Sequence, residues 1–313
     1  MGIIVRNFVH HEDEAALENL KSLPLFSSCV KSFMKIGIER FFHGLNMAQK
    51  IRLGPNQLPE IYGYLPPTCE FLGIKEPEFY LEMNPAPNAY VMGGTRTFLT
   101  ITSGLLECLE EEETRAVIAH ECGHIACEHV VYHTMAQLLL SNGSRIFGPL
   151  AALSLPIRLA LLRWQRRSEL SADRAAAVYS RAPGPVVNTM IRLAGGSKAI
   201  TAQVNIDVYR EQAQAYDKLL DSKWDEILQG YAIRGWNHPF LAVRTREILD
   251  WCEGEQFQRL MQALDAQDSG RACAVCGKPM ESGWKFCIHC GHAYASPGPA
   301  AEAAEREGVI LGT

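Results

Sequence analysis

Apolar positions recur every three or four residues over most of the chain, and the period changes to two in one short stretch. Between residues 11 and 50, Leu17, Leu20, Phe33 and Ile36 follow helical spacing behind the acidic Glu12, Asp13 and Glu14, with a break at Leu23-Pro24-Leu25. Pro55, Pro59 and Pro66-Pro67 confine the helices of 51–75 to short pieces or to starts at proline. From residue 78 to 102 the runs Phe79-Tyr80-Leu81, Ala89-Tyr90-Val91-Met92 and Phe98-Leu99-Thr100-Ile101-Thr102 are separated by Asn84-Pro85, Pro87-Asn88 and Gly93-Gly94. That pattern predicts three short strands joined by turns. Helical patterning returns over 111–140 as one predicted helix, then over 163–181, 184–193 and 208–233. A last helix is opened by His238-Pro239 and runs through Leu249 to about Leu264. The expected fold class is α+β, mostly α, with a small β-sheet directly ahead of a long helix.

The stretch 146–157 carries no charge and lies between Arg145 and Arg158. It is too short for a membrane-spanning helix, which needs about 20 residues, and Pro149 and Pro156 break it further. A buried cap is the favoured expectation, and peripheral membrane contact through 146–162 is the alternative. With 313 residues, 47% of them hydrophobic, the chain holds one large domain plus an appendage, and a formal net charge of −5 gives the body no reason to bind polyanions. Six of the ten cysteines are scattered singly, and no charged-then-apolar leader precedes His10, which points to a reducing cytoplasm. Arg6 occupies the position where a myristoylation signal requires Ser or Thr.

Within the helix predicted over 111–140 stands His120-Glu121-Cys122-Gly123-His124. Residues four apart share a helix face, so the imidazoles of His120 and His124 can grip one metal ion, and Glu121 on the flank can reach a metal-bound water as a general base. A third protein ligand is then required. Position 130, where an extended histidine motif would place it, is Val130, and on a continuous helix His129 and His133 fall about half a turn from the metal face. The better candidate is Glu169, with Asp173 four residues on and able to accept the outer N–H of a ligand histidine.

These features resemble the M48 family of zinc metallopeptidases, the group that contains the HtpX-like heat-shock proteases and the CAAX prenyl proteases. The resemblance covers roughly residues 50–250 and rests on Pro87-Asn88-Ala89-Tyr90, Ser103-Gly104-Leu105-Leu106, the run from Ala116 to His124, Glu169 with Asp173, and Asn237-His238-Pro239 with Arg244. It implies a zincin-type metallopeptidase domain over 1–265, with His120, His124 and Glu169 as zinc ligands, Glu121 as catalytic base and Asp173 supporting a ligand. Cys122 stands where Leu is usual. Several relatives carry transmembrane helices, and none is legible here. The resemblance also implies that the strand containing Asn88, Ala89 and Tyr90 binds an extended peptide by adding it to the sheet. His238, held extended by Pro239, would reach the open side of the zinc, either donating to the developing oxyanion or filling the fourth metal position. The alternative is that it caps the following helix.

Near the C-terminus, Cys273-x-x-Cys276 and Cys287-x-x-Cys290, each followed by glycine, have the spacing of a four-cysteine structural zinc ribbon over 270–292. The weak basic patch of Arg271, Lys278 and Lys285 argues against nucleic acid and for a protein partner or a purely structural role. Residues 293–313 read as a disordered tail. The expected function is a zinc metalloendopeptidase acting on polypeptides, with one catalytic and one structural Zn2+, cytoplasmic with membrane association as the alternative. A partner-binding or chaperone-like protein that retains the fold is the competing reading, and the intact Glu121 argues against it.

Overall fold

The computed structural model describes residues 5–24, 26–35, 37–140, 155–218, 240–270 and 275–276. Helix α1 (His11–Ser22) starts where the His10 ring accepts the Glu12 N–H, and its acidic first turn complements the helix dipole. Leu23, which precedes a proline, is extended and ends it. Helices α2 (Phe26–Lys35) and α3 (Ile38–Gln49) follow, then a two-residue strand β1 (Ile51–Arg52), and α4 (Pro59–Tyr62) and α5 (Leu65–Leu72), each with proline in its first turn.

The sheet has four strands in the order β1-β2-β4-β3, one more than the pattern predicts. A two-residue strand has no period to read, and β1 is held by antiparallel pairing of Ile51 with Leu81 and Arg52 with Tyr80. Strand β2 (Glu78–Glu82) runs parallel to β4 (Thr97–Thr102), while β3 (Ala89–Gly93) pairs antiparallel with β4 and forms an outer edge. Strict alternation sends side chains to two cores. Phe79, Ala89, Val91, Leu99 and Ile101 face one, and Tyr80, Met92 and Phe98 face the other.

Thr102 caps α6 (Ser103–Cys108) by accepting the Leu105 N–H at 3.3 Å. Helix α7 (Glu111–Ala126) begins in a capping box between Glu110 and Glu113 and is buried on every face from Ala116 to His124. It does not continue to residue 140. The N–H of Glu128 bonds to the Ile125 carbonyl and that of His129 to the His124 carbonyl, a Schellman ending with Glu128 in the left-handed conformation at φ 59°. Glycine is usual at that position, so nothing in the residues marks the break, and α8 (Val130–Leu140) starts as a separate helix.

Helix α9 (Leu155–Tyr179) starts earlier than its pattern implies, with Pro156 in the first turn where no N–H is needed. Ile157, the last residue of the uncharged stretch, is buried in the second core with Leu161 and Trp164, while residues 146–154 of that stretch lie outside the described residues. The helices α10 (Gly184–Gly195), α11 (Lys198–Thr201) and α12 (Ile206–Asp217) follow. The predicted last helix is two, α13 (Leu241–Glu253) and α14 (Glu255–Gly270), interrupted at Gly254, whose extended backbone ends the first. Among the described residues no helix is long and apolar enough to cross a membrane.

Candidate metal centre

Helices α7 and α9 approach so closely at Gly123 that a Cβ there would lie 2.7 Å from the Ala175 Cβ and 3.2 Å from the Ala172 Cα. A side chain at 123 would force the helices apart. With hydrogen in its place, the face of α7 carrying His120 and His124 meets the face of α9 carrying Glu169 and Asp173. All four side chains are buried.

The Nε2 atoms of His120 and His124 are 3.2 Å apart, Glu169 Oε2 is 3.5 Å from the first and Oε1 is 3.4 Å from the second. Zn–N and Zn–O bonds of about 2.0–2.1 Å at the tetrahedral angle place neighbouring donor atoms about 3.3 Å apart. The closest donor pairs stand near that spacing, with a different Glu169 oxygen nearest each histidine, and one atom from each of the three residues lies within 4.8 Å of the others, a set that can hold one ion. Charge points the same way. Glu121, Glu169 and Asp173 are buried carboxylates, and the buried Arg244 guanidinium offsets one of the three. Two negative charges remain, which a divalent cation cancels. His120 responds to that excess: burial disfavours its imidazolium, but Asp173 and Glu169 outweigh burial and raise its pKa to about 9. His124 goes the other way, driven down to about 3 chiefly by burial, and is neutral.

Asp173 Oδ1 is 3.0 Å from His120 Nδ1, so that nitrogen donates and Nε2 faces the donor cluster. The role of Arg244 is invisible in the sequence, where it lies 71 residues beyond Asp173. It donates from Nε and Nη2 to the two oxygens of Asp173 at 2.8 and 2.6 Å, while Nη1 lies 2.9 Å from Glu169 Oε2. Burial opposes the Asp173 carboxylate, yet Arg244 and the His120 hydrogen bond hold its pKa below the ordinary value. The same guanidinium also fixes Glu169 beside the histidines.

The break after α7 moves His129 off the continuous-helix position. It is buried, with Nδ1 3.0 Å from His124 Nδ1 and Nε2 3.0 Å from Asp13 Oδ2. The expectation of a second-face histidine fails because Glu128 turns the chain back. His133 is half-buried and its Nε2 lies 2.7 Å from the Ser168 hydroxyl. Ring nitrogens of His124, His129 and His133 thus form a second cluster, one whose close contacts are hydrogen bonds.

Beside His120 and Glu121 opens a cleft lined by Asn88, Ala89 and apolar side chains including Leu105, Val117, Val186 and Met190. Glu121 is buried at its wall. The Asn88 N–H donates to Thr102 Oγ1 and its carbonyl accepts the Thr102 N–H, so by alternation the backbone groups of Ala89 and Val91 point to the outer edge of the sheet. The Tyr90 side chain lies on the opposite face, where its hydroxyl donates to Glu82 and accepts from Lys50. Cys122 is buried in the first core and not among the donors. His238, with Asn237, and Cys273, Cys287 and Cys290 lie outside the described residues, and Cys276 is exposed.

Residues 65–252 match the model of Peptidase family M48. The chain is 32% identical over 267 residues to the plastoglobule-localized metallopeptidase 48, chloroplastic, of Arabidopsis thaliana, covering 84% of this chain and 77% of that protein. It is 25% identical over 202 residues to a protease HtpX homolog of Tropheryma whipplei (53% of this chain, 68% of that protein). A protease HtpX homolog of Dictyoglomus turgidum is 29% identical over 167 residues, covering 43% of this chain and 55% of that protein. No solved structure matches the chain.

Proposed function

The chain belongs to peptidase family M48, and we propose that it is a zinc-dependent endopeptidase in which His120, His124 and Glu169 hold the ion and Glu121 is the general base. The observation that carries this reading is the convergence of two imidazole nitrogens and a carboxylate at 3.2–3.5 Å beside a buried glutamate at the wall of a cleft. Zinc bound there supplies Lewis acidity to the scissile carbonyl and makes water acidic enough to be used near neutral pH. Glu121 takes the proton from the attacking water and returns it to the leaving amine. Asp173 holds the His120 tautomer, and Arg244 keeps Asp173 ionised and Glu169 in place.

An extended substrate would pair with the outer edge of β3, using the outward backbone groups of the strand that carries Asn88, Ala89 and Tyr90. Its side chain beside the scissile bond would enter the cleft, whose Leu105, Val117, Val186 and Met190 lining favours an apolar residue. His238 would serve the open side of the zinc, a role that rests on the family resemblance. The four ribbon cysteines would hold a second, structural zinc and offer a surface to a protein partner. A cytoplasmic enzyme with peripheral membrane contact is the proposed setting, the contact supported by the relative named for its plastoglobule location.

The test is digestion of an unbiased peptide library by wild type and Glu121→Gln, each with and without chelator, alongside zinc analysis. The amide keeps the shape of the carboxylate but cannot take the proton, so cleavage is lost while bound zinc stays at the wild-type level. Cleavage by the variant near the wild-type rate would overturn the base assignment, and cleavage that survives zinc removal would overturn the metal reading.

A further inference from the structure

Asp13 lies on α1, outside the stretch that matches the family model, yet its carboxylate is buried against the far side of the metal centre. It accepts from Trp164 Nε1–H at 3.0 Å on Oδ1 and from the Ser171 hydroxyl at 2.5 Å on Oδ2. Ser171 Oγ accepts the His10 N–H at 3.0 Å, which leaves its own hydrogen for Asp13. His129 Nε2 is the third contact, at 3.0 Å. A carboxylate only accepts, so His129 Nε2 carries the hydrogen. In neutral His129 the Nδ1 is then a lone pair, and it lies 3.0 Å from His124 Nδ1. His124 must therefore carry its hydrogen on Nδ1, and its Nε2 lone pair is left facing Glu169 and His120.

We propose that Asp13 and His129 are positioning residues: a buried Asp13–His129–His124 hydrogen-bond relay fixes His124 in the tautomer whose Nε2 can bind the metal. It matches what Asp173 does directly for His120. The geometry needs the chain reversal at Glu128, since only the Schellman ending brings His129 back onto His124. The relay rests on the reading of His120, His124 and Glu169 as a metal site, but its hydrogen positions can be measured without any metal.

Asp13→Asn is the diagnostic substitution. Trp164 Nε1–H can only donate, so it keeps the amide oxygen on its own side and turns the amide NH2 toward His129. His129 must then accept at Nε2 and carry its hydrogen on Nδ1, and His124 is forced to put its hydrogen on Nε2, the atom needed for the metal. A carboxylate-to-amide change inverts a catalytic histidine by the same logic. The assay is 15N NMR of the histidine rings in full-length, metal-free protein at about pH 8, above the ordinary histidine pKa of about 6.5. Zinc affinity is measured in parallel by competition with a chelating indicator.

The expected result is Nδ1–H at His124 in wild type, Nε2–H in Asp13→Asn, and a zinc affinity lower by about 10- to 100-fold in the variant. His129→Asn, which can present an oxygen in place of Nδ1, should keep most of the affinity, whereas His129→Leu should lose it. A purely structural role would penalise both His129 variants alike. Wild-type His124 protonated on Nε2, or an unchanged tautomer in Asp13→Asn, overturns the relay. Equal zinc affinity across all four proteins overturns it as well. Tautomers as stated in a wild type that takes up no zinc would support the hydrogen-bond chain and overturn the metal reading instead.

Discussion

Gly123→Ala tests whether the metal centre depends on the distance between α7 and α9. The added Cβ would stand 2.7 Å from the Ala175 Cβ and 3.2 Å from the Ala172 Cα, where ordinary contact begins at 3.4 Å. Both neighbours are backbone or one bond from it, so neither can swing aside, and the helices must part by about 0.7 Å. Glu169 and Asp173 flank Ala172 on α9 and move with it. The separations of 3.4 and 3.5 Å between Glu169 and the two histidines would open to about 4.1–4.2 Å, well beyond the roughly 3.3 Å of a tetrahedral zinc site.

Stability is the weaker readout, because overpacking costs about 1–3 kcal/mol while alanine in place of glycine returns about 1 kcal/mol of helix propensity. Zinc affinity is the sharper one. It should fall at least about tenfold, as it does when the surroundings of a ligand are disturbed. The double variant Gly123→Ala/Ala175→Gly removes the 2.7 Å contact, leaves those to Ala172 at 3.2 and 3.4 Å, and should recover most of the affinity. Competition titration with a chelating indicator on the three proteins measures this. Wild-type affinity in the single variant, or no recovery in the double one, would refute the claim that helix separation sets the donor geometry.

The metal-free protein should show a stability window set by His120. Its folded pKa of about 9 exceeds the unfolded value of 6.5, so this contribution is complete below 6.5 and is lost as pH rises through 9, while zinc-loaded protein, which has no proton there, lacks the loss. Chemical denaturation of both forms across that range checks it, and parallel profiles would count against the assignment. Removing residues 270–313 should preserve cleavage of short peptides and halve the zinc content, since the proposed ribbon would share no ligand with the candidate centre, and total loss of activity would overturn the proposal that it only folds around a metal of its own. His238→Ala should slow turnover about a hundredfold if the ring donates to the oxyanion, and raise it if the ring blocks the metal. Unchanged turnover with a lower melting temperature would leave only the capping role.

What could be read from the sequence was local in helical or strand register. His120 and His124, and Glu169 and Asp173, are each four apart on one helix, so spacing alone put each pair on a face. The strands of 78–102 showed themselves through alternation and turn residues. Registers broken without the usual residue were hidden. Glu128 takes a left-handed conformation that favours glycine, so the helix ending it makes left no mark, and with it the placement of His129 was lost. Pro156 reads as a breaker by pattern but sits in a first turn, which concealed the start of α9. Arg244 and Asp13 could not be assigned for a different reason. An ion pair between distant segments has no period, and a buried Asp in an acidic first turn has the same sequence signature as a solvated one.

The two carboxylates on the outer sides of His120 and His124, the proposed ligands, meet different electrostatic demands. Asp173 sits among Glu169, Glu121 and the donor atoms, where another negative charge is tolerable only because Arg244 binds both of its oxygens. It can act on His120 directly because that guanidinium is present. On the His124 side, Arg244 is engaged elsewhere, and a second carboxylate in contact would deepen the excess of negative charge. Placing Asp13 one imidazole further out keeps the orienting hydrogen bond while moving the charge away, to a spot where Trp164 and Ser171 donate to it as well. Burial opposes the Asp13 carboxylate, but the hydrogen bond and electrostatic attraction of His129, with hydrogen bonds from Ser171 and Trp164, outweigh it and hold its pKa below the ordinary value. In the proposed relay a His129 ring carrying one hydrogen passes on the hydrogen-bond polarity without passing on the charge, which a second acid after the turn at Glu128 could not do.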